Sequence, residues 1–139
     1  MEGILFHSDP THLRPELLDG FFEGWPNPPS TETHLRILSR CWAVELACDS
    51  DSGRVVGFVN AISDGFYAAY IPLLEVLPDY RGRGIGRELI RRMMERCAAF
   101  YMVDVCCDDA ISPFYERFGM VPVQGMCIRN FDRQSGAVD

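Results

Sequence analysis

Not one lysine occurs in this chain of 139 residues; all thirteen of its basic residues are arginine. A phosphate loop that ends in Gly-Lys-Ser or Gly-Lys-Thr is therefore excluded. Histidine is nearly as scarce. His7, His12 and His34 all fall in the first quarter, and none has a partner at metal-ligand spacing, so no metal is expected and each reads as a surface or capping residue. The six cysteines, at 41, 48, 97, 106, 107 and 127, form no Cys-x-x-Cys pair and no regular frame, which points to buried free thiols. The adjacent pair Cys106-Cys107, at a strand end, is where one thiol could approach a reaction centre. No apolar run approaches the ~18 residues of a membrane span, and Met1-Glu2-Gly3 opens no basic, apolar leader. A soluble, cytoplasmic protein with no membrane partner is expected.

With 47% apolar and 24% charged residues, the composition is that of an ordered domain. The length suits one domain over residues 1–139, burying roughly 68 to 70% of its unfolded surface, with 134–139 expected as a disordered tail. A net charge of −7 argues against a nucleic-acid surface and favours a cationic or amine ligand. Against that background, six of the thirteen arginines crowd between Arg81 and Arg96, predicting a local positive field.

Along the chain, Ile4 to Phe6 reads as a first strand, and a helix is predicted from Asp9-Pro10 or Thr11 to about Phe22, ended by Gly24-Trp25-Pro26-Asn27-Pro28-Pro29. Ser30 suits an N-cap for a second helix with Leu35, Ile37 and Leu38 inward. Trp42 to Asp49 and Arg54 to Ser63 form a predicted hairpin around Asp51-Ser52-Gly53. A further strand runs from about Tyr67 to Leu77, where Pro72, lacking an N–H, marks an edge, a bulge or a splayed pair.

Leu74 to Leu89 carries the most information. An apolar strand leads into a turn with glycines at 82, 84 and 86 and then into a helix whose inward face is Ile85, Leu89, Ile90, Met93, Met94 and Cys97, with Arg87, Arg91, Arg92 and Arg96 outward. Glycines let the backbone approach a ligand closely, and the first helical N–H groups are left without partners, which makes an anion cradle suited to a diphosphate. The dinucleotide fingerprint Gly-x-Gly-x-x-Gly does not fit, because the third glycine comes one residue early.

The pattern Arg81-x-x-Gly84-x-Gly86, preceded by Leu74-x-Val76-x-Pro78, resembles the acyl-CoA signature of the GNAT N-acetyltransferases. Tyr115-Glu116-Arg117-Phe118-Gly119-Met120, following a short strand near Met102 to Cys107, is similar to that family's Tyr-x-x-x-Gly-Phe segment, with Met120 in place of Phe. The likeness spans about residues 40–120; the first 35 residues match in arrangement only. It implies an α/β fold of the acyl-CoA N-acyltransferase type, a mixed and mostly antiparallel sheet with helices on both faces. It also implies acetyl-CoA as co-substrate, held by Leu74, Glu75, Val76, Arg81, Gly82, Arg83, Gly84, Ile85, Gly86 and Arg87, with Asp108 where many relatives have a contacting Asn.

On the same basis Tyr115 would meet the departing sulfur, and Asp104, in the strand beside the pantetheine arm, becomes the candidate base or substrate carboxylate. Tyr70 occupies a place where several relatives carry a glutamate, which puts direct base catalysis in doubt. Phe22, Trp25 and Tyr70 are expected to face the acceptor, a primary amine on a small molecule, an antibiotic or a peptide N-terminus. A homodimer is possible. The competing reading is a non-catalytic acyl-CoA-binding or sensing module, which would need neither Tyr115 nor an open groove.

Overall fold

The central strand of the sheet explains the layering. Residues Val55–Ser63 read Val-Val-Gly-Phe-Val-Asn-Ala-Ile-Ser, an almost unbroken apolar run, and Val55 to Ala61 are all buried. Such a run suits a strand covered on both faces. The computed structural model describes residues 1–137. It contains β1 (Ile4–His7), α1 (Thr31–Arg40), β2 (Ala43–Asp49), β3 (Val55–Ser63), β4 (Ala68–Val76), α2 (Ile85–Arg96), β5 (Met102–Val105) and α3 (Ser112–Glu116). The five strands lie in the order β1-β2-β3-β4-β5. The first three pairings are antiparallel and β4 pairs β5 in parallel. A mixed, mostly antiparallel sheet with helices on both faces is the α/β architecture that the resemblance implied.

One face is closed by α2, whose Ile85, Leu89, Ile90 and Met93 are buried. Gly57 permits the approach, since a Cβ there would stand 3.1 Å from Ile85 Cγ2 and 3.2 Å from Leu89 Cδ1. The opposite face is closed by α1 and the segment before it. Phe58 meets Phe21 at 5.0 Å and His34 at 4.5 Å between ring centroids. Ser30 caps α1 as predicted, its Oγ accepting from the Thr33 N–H at 3.1 Å.

Four expectations need correction. The long helix from about Thr11 to Phe22 is a single 3-10 turn, Pro15–Leu18. Asp9 draws the Thr11 N–H and hydroxyl into a local turn, and Pro10 and Pro15 supply no N–H, so the helix has no continuous ladder. His34 is neither surface nor cap; it is 1% exposed within an aromatic cluster, its Nε2 has no partner, and burial lowers its pKa to about 4. The thiols divide: Cys48 and Cys97 are buried and Cys41 half-buried, but Cys106, Cys107 and Cys127 are exposed, because they lie past β5 and on the segment after α3. The predicted tail from 134 is in part tied down, with Gln134 Oε1 accepting from the Asn27 N–H at 3.0 Å; positions 138–139 lie outside the described residues.

Candidate functional site

β4 outlasts its neighbour. Pairing with β5 ends at Ile71 opposite Val105, whereas β4 runs on to Val76. Pro72, the first residue past the shared stretch, cannot donate to a ladder, so the sheet splays at the place the sequence marked. From Pro72 to Val76 one backbone edge of β4 faces a gap. Side chains alternate across a strand. Glu75 pairs with Phe58 and so lies on the α1 face, while Val76 pairs with Gly57 on the α2 face. Two clefts flank this splayed end.

The α2-side cleft, about 420 Å³, is lined by Val76, Tyr80, Arg81, Gly82, Gly84, Ile85, Gly86, Arg87, Phe114 and Arg117. Its floor is backbone. Gly82 (φ 76°) and Gly84 (φ 83°) take left-handed conformations that side chains resist, and Gly84 opens α2 with no side-chain cap. Glu88 N–H, bonded to Gly84 O at 3.1 Å, is the first of the helix to find an acceptor. Among the described residues no hydrogen bond uses the amides of residues 82 to 87, which gather at the positive end of the helix dipole. A Cβ on Gly82 would meet nothing within 4 Å, and one on Gly84 only the Met1 methyl at 3.8 Å, so the cradle opens to solvent. The arrangement fits a diphosphate.

The arginines around it do not act as one cluster. Arg91 pairs with Glu88 and Glu95, Arg92 pairs with Glu88 and lies 4.6 Å from the Phe6 ring, and Arg96 bonds the Val44 carbonyl and buried Glu45. Those three serve packing along α2. The Glu88 carboxyl is held at about 2 by its bond to Arg91, helped by Arg92. Arg81 donates through Nε to Val76 O at 2.9 Å and pairs with Glu23 at 2.7 Å. Arg83 reaches the Glu2 carbonyl at 3.3 Å and stands 5.5 Å from the Tyr80 ring. Arg87 and Arg117 line the cleft with no side-chain partner among the described residues. Arg117 was not singled out from the sequence, although it lies two residues past Tyr115.

The α1-side cleft is smaller, about 180 Å³, and is walled by Phe22, Trp25, Phe58, Ile71, Pro72, Leu73, Leu74, Glu75, Val105, Cys106 and Tyr115. It brings Phe22 and Trp25, on one loop, together with Tyr115 from far along the chain. Phe22 has φ 65°, a strained value for an aromatic residue. The Glu75 carboxylate holds that loop, accepting the Phe22 N–H at 2.8 Å and the Glu23 N–H at 3.3 Å. Glu75, expected to matter through its backbone, thus has a side-chain role as well. Its period-2 position opposite Phe58 was the available signal.

Tyr115 is 7% exposed and its hydroxyl has no partner among the described residues. Burial pushes its pKa up to about 12, with a smaller push from Cys107. The phenol is therefore a hydrogen-bond donor that holds its proton. Consecutive residues of α3 serve both clefts, Phe114 the larger and Tyr115 the smaller.

Asp104 and Asp108 are not brought into either cleft. Asp104 is exposed on β5 opposite Tyr70, and Asp108 is exposed in the bend that carries Ile111 and Ser112 on its carbonyl. Tyr70 is half-buried beside the smaller cleft, its pKa raised by burial and by the neighbouring Cys106 thiol. No group of three or more potential metal ligands occurs among the described residues, and none of the described helices is long and apolar enough to cross a membrane.

Comparison with known proteins agrees with this geometry. A crystal structure from Deinococcus radiodurans R1, assigned as an acetyltransferase, is 47% identical and superposes with a TM-score of 0.95 over 99% of this chain and 96% of that one. A GNAT family acetyltransferase from Streptococcus pneumoniae TIGR4 is 26% identical, with a TM-score of 0.74 over 91% and 98% of the two chains. The uncharacterised N-acetyltransferase ycf52 of Porphyra purpurea is 25% identical over 101 residues, which are 70% of this chain and 58% of that protein's length. The profile of the Acetyltransferase (GNAT) family matches residues 11–120. The chain belongs to the GNAT acetyltransferase family.

Proposed function

We propose that this protein transfers the acetyl group of acetyl-CoA to a primary amine presented on the α1 side of the sheet. The observation that carries the reading is the splayed end of β4, with a backbone anion cradle on one face and an aromatic cleft containing one carboxylate on the other. The amides of residues 82 to 87 and the guanidinium groups of Arg87 and Arg117 would hold the diphosphate. The edge of β4 past Pro72, which β5 leaves unpaired and of which Arg81 holds only the Val76 carbonyl, offers amide and carbonyl groups to the pantetheine arm. Acetyl-CoA supplies an activated thioester. Everything else is done by this chain's residues.

Tyr115, on the wall of the smaller cleft, would donate a hydrogen bond to the sulfur as it leaves. Full proton transfer is disfavoured: an unperturbed phenol already lies ~2 kcal/mol uphill of a thiol, and burial of Tyr115 widens that gap. Phe22 and Trp25 would pack the body of the acceptor. Glu75, the one acid lining the smaller cleft, would face its ammonium group, a role the sequence reading had given to Asp104. A carboxylate cannot simply deprotonate an alkylammonium across roughly 9 kcal/mol. Water, or proton loss as the new bond forms, completes that step.

The test is calorimetric titration with acetyl-CoA, followed by free-thiol release over a panel of primary amines. Binding together with amine-dependent thiol release supports the proposal. Binding with no release for any amine leaves an acyl-CoA-binding module, and absence of binding removes the reading altogether.

A further inference from the structure

The adjacent thiols Cys106 and Cys107, unused by the transfer described above, are separated by the fold. Cys106 lines the smaller cleft with Tyr115 and Glu75, whereas Cys107 lines neither cleft. The strand register explains its place: β5 ends at Val105 opposite Ile71, so Cys106 begins the divergence on one strand as Pro72 begins it on the other. The thiol stands where the two strands part. It is exposed, unlike those of Cys48 and Cys97, which burial pushes up in pKa and keeps protonated.

Two tyrosines converge on the same place. Tyr115 is 7% exposed, and its hydroxyl, without a partner among the described residues, is nevertheless not one of the sealed unpartnered polar atoms, which are His34 Nε2 and Asn60 Oδ1. What Tyr115 leaves open thus includes its hydroxyl, and the residue lines this cleft alone. From the other side the Tyr70 side chain hydrogen-bonds that of Cys106, and because the bond raises the Tyr70 pKa, the phenol keeps its proton and the sulfur accepts. That bond fixes the sulfur. No Ser, Thr, His or Lys lines the cleft, so among the described residues Cys106 is its one nucleophile besides a protonated phenol and a carboxylate.

We propose that Cys106 is an acyl-acceptor site, which takes the acetyl group of acetyl-CoA when no amine occupies the cleft. The inference rests on the proposed acetyl transfer, because it needs the thioester at the splayed end of β4. The Cys106 thiol gives its proton to water, and the thiolate attacks the thioester carbonyl carbon. A C–S bond forms to Sγ as the C–S bond to CoA breaks, and the departing thiolate, met by the Tyr115 hydroxyl, takes up a proton from water. Nothing is oxidised or reduced. One thioester replaces another, so neither side is strongly favoured and excess CoA draws the acetyl group back.

The experiment is incubation of the native chain with acetyl-CoA and no amine, read by intact mass and peptide fragmentation, beside calorimetric titration of the same sample. Up to one acetyl group per chain should appear on Cys106, about tenfold or more faster than on the exposed Cys107 and Cys127, and excess CoA should remove it. Cys107→Ser should take the label. Cys106→Ser should form none that CoA removes, and the native chain decides by itself if that variant does not fold. Binding of acetyl-CoA without label overturns this proposal and leaves the acetyl-CoA reading standing; absence of binding overturns both. Label spread evenly over the three exposed thiols, or formed as fast in the urea-unfolded chain, is ordinary solution reactivity and overturns the site as well.

Discussion

The two faces of β4 are built by different means. On the α2 side the site is made of backbone: left-handed glycines, unpartnered amides and a helix start, all within residues 82 to 87. On the α1 side it is made of side chains drawn from five separate segments, held by contacts such as that between Glu75 and the Phe22 amide, 53 positions apart. A backbone site depends on a short local word and tolerates little change. A side-chain site can be respecified one residue at a time while the other face keeps its geometry.

The largest effect is expected at Gly84. Its φ of 83° disfavours any side chain by ~1 to 2 kcal/mol, and relief of that strain would swing the amides out of their cradle. The penalty is conformational, because a Cβ there meets only the Met1 methyl. Gly84→Val should weaken acetyl-CoA binding about 100-fold or more; unchanged affinity in a folded variant would show that the backbone cradle is not the binding site. Tyr115→Phe comes next, with kcat lower on the order of 10²-fold and acetyl-CoA affinity little altered, as fits a group that acts only when the sulfur departs. Activity within twofold of the parent would reduce Tyr115 to a packing residue.

On the other face, Trp25→Ala should raise the acceptor KM about tenfold and leave the acetyl-CoA KM unchanged. If both rise together, the two faces are not independent and the comparison fails. Acid should also distinguish them. His34 is buried and neutral, with a pKa of about 4 in the folded chain against 6.5 unfolded. The unfolded state therefore takes up the proton first, so stability is complete above pH 6.5 and lost as pH falls from there towards 4. The loss should be about 1 kcal/mol at pH 6. Urea melts of the native chain and of His34→Leu at pH 7.5 and 6 would show it; equal losses in both proteins would take His34 out of the account.

The smallest predicted difference lies within the arginine run. Arg87→Ala should weaken acetyl-CoA binding about threefold to tenfold, as loss of one charge-assisted contact would. Arg91→Ala should leave it unchanged, because Arg91 is committed to Glu88 and Glu95. Equal effects would restore a role for the whole run as a positive field.

Legibility followed the same division. The glycine turn, the α2 stripe, the Asp51-Ser52-Gly53 hairpin and the break at Pro72 are local in cause, and each lies where the sequence placed it. The first 30 residues misled, because apolar residues at helical spacing compete there with Asp9, Pro10 and Pro15, and backbone hydrogen-bond supply decided the outcome. The burial of His34 could not be read from its neighbours in sequence, since the rings around it come from Phe21, Phe22 and Phe58. Charge counting alone overestimated the arginine field, because Glu45, Glu88 and Glu95 neutralise half of it.

One chemical trait of the larger cleft bears on how such an enzyme would endure its own reagent. Every cation along it, Arg81, Arg87 and Arg117 on the wall and Arg83 in the turn, is a guanidinium. A guanidinium stays protonated throughout the physiological range and offers no free nitrogen pair to a thioester, whereas a lysine ammonium can shed its proton and be acylated. The proposed donor would thus be gripped by groups it cannot modify. Along this cleft, positive charge and chemical inertness would then coincide.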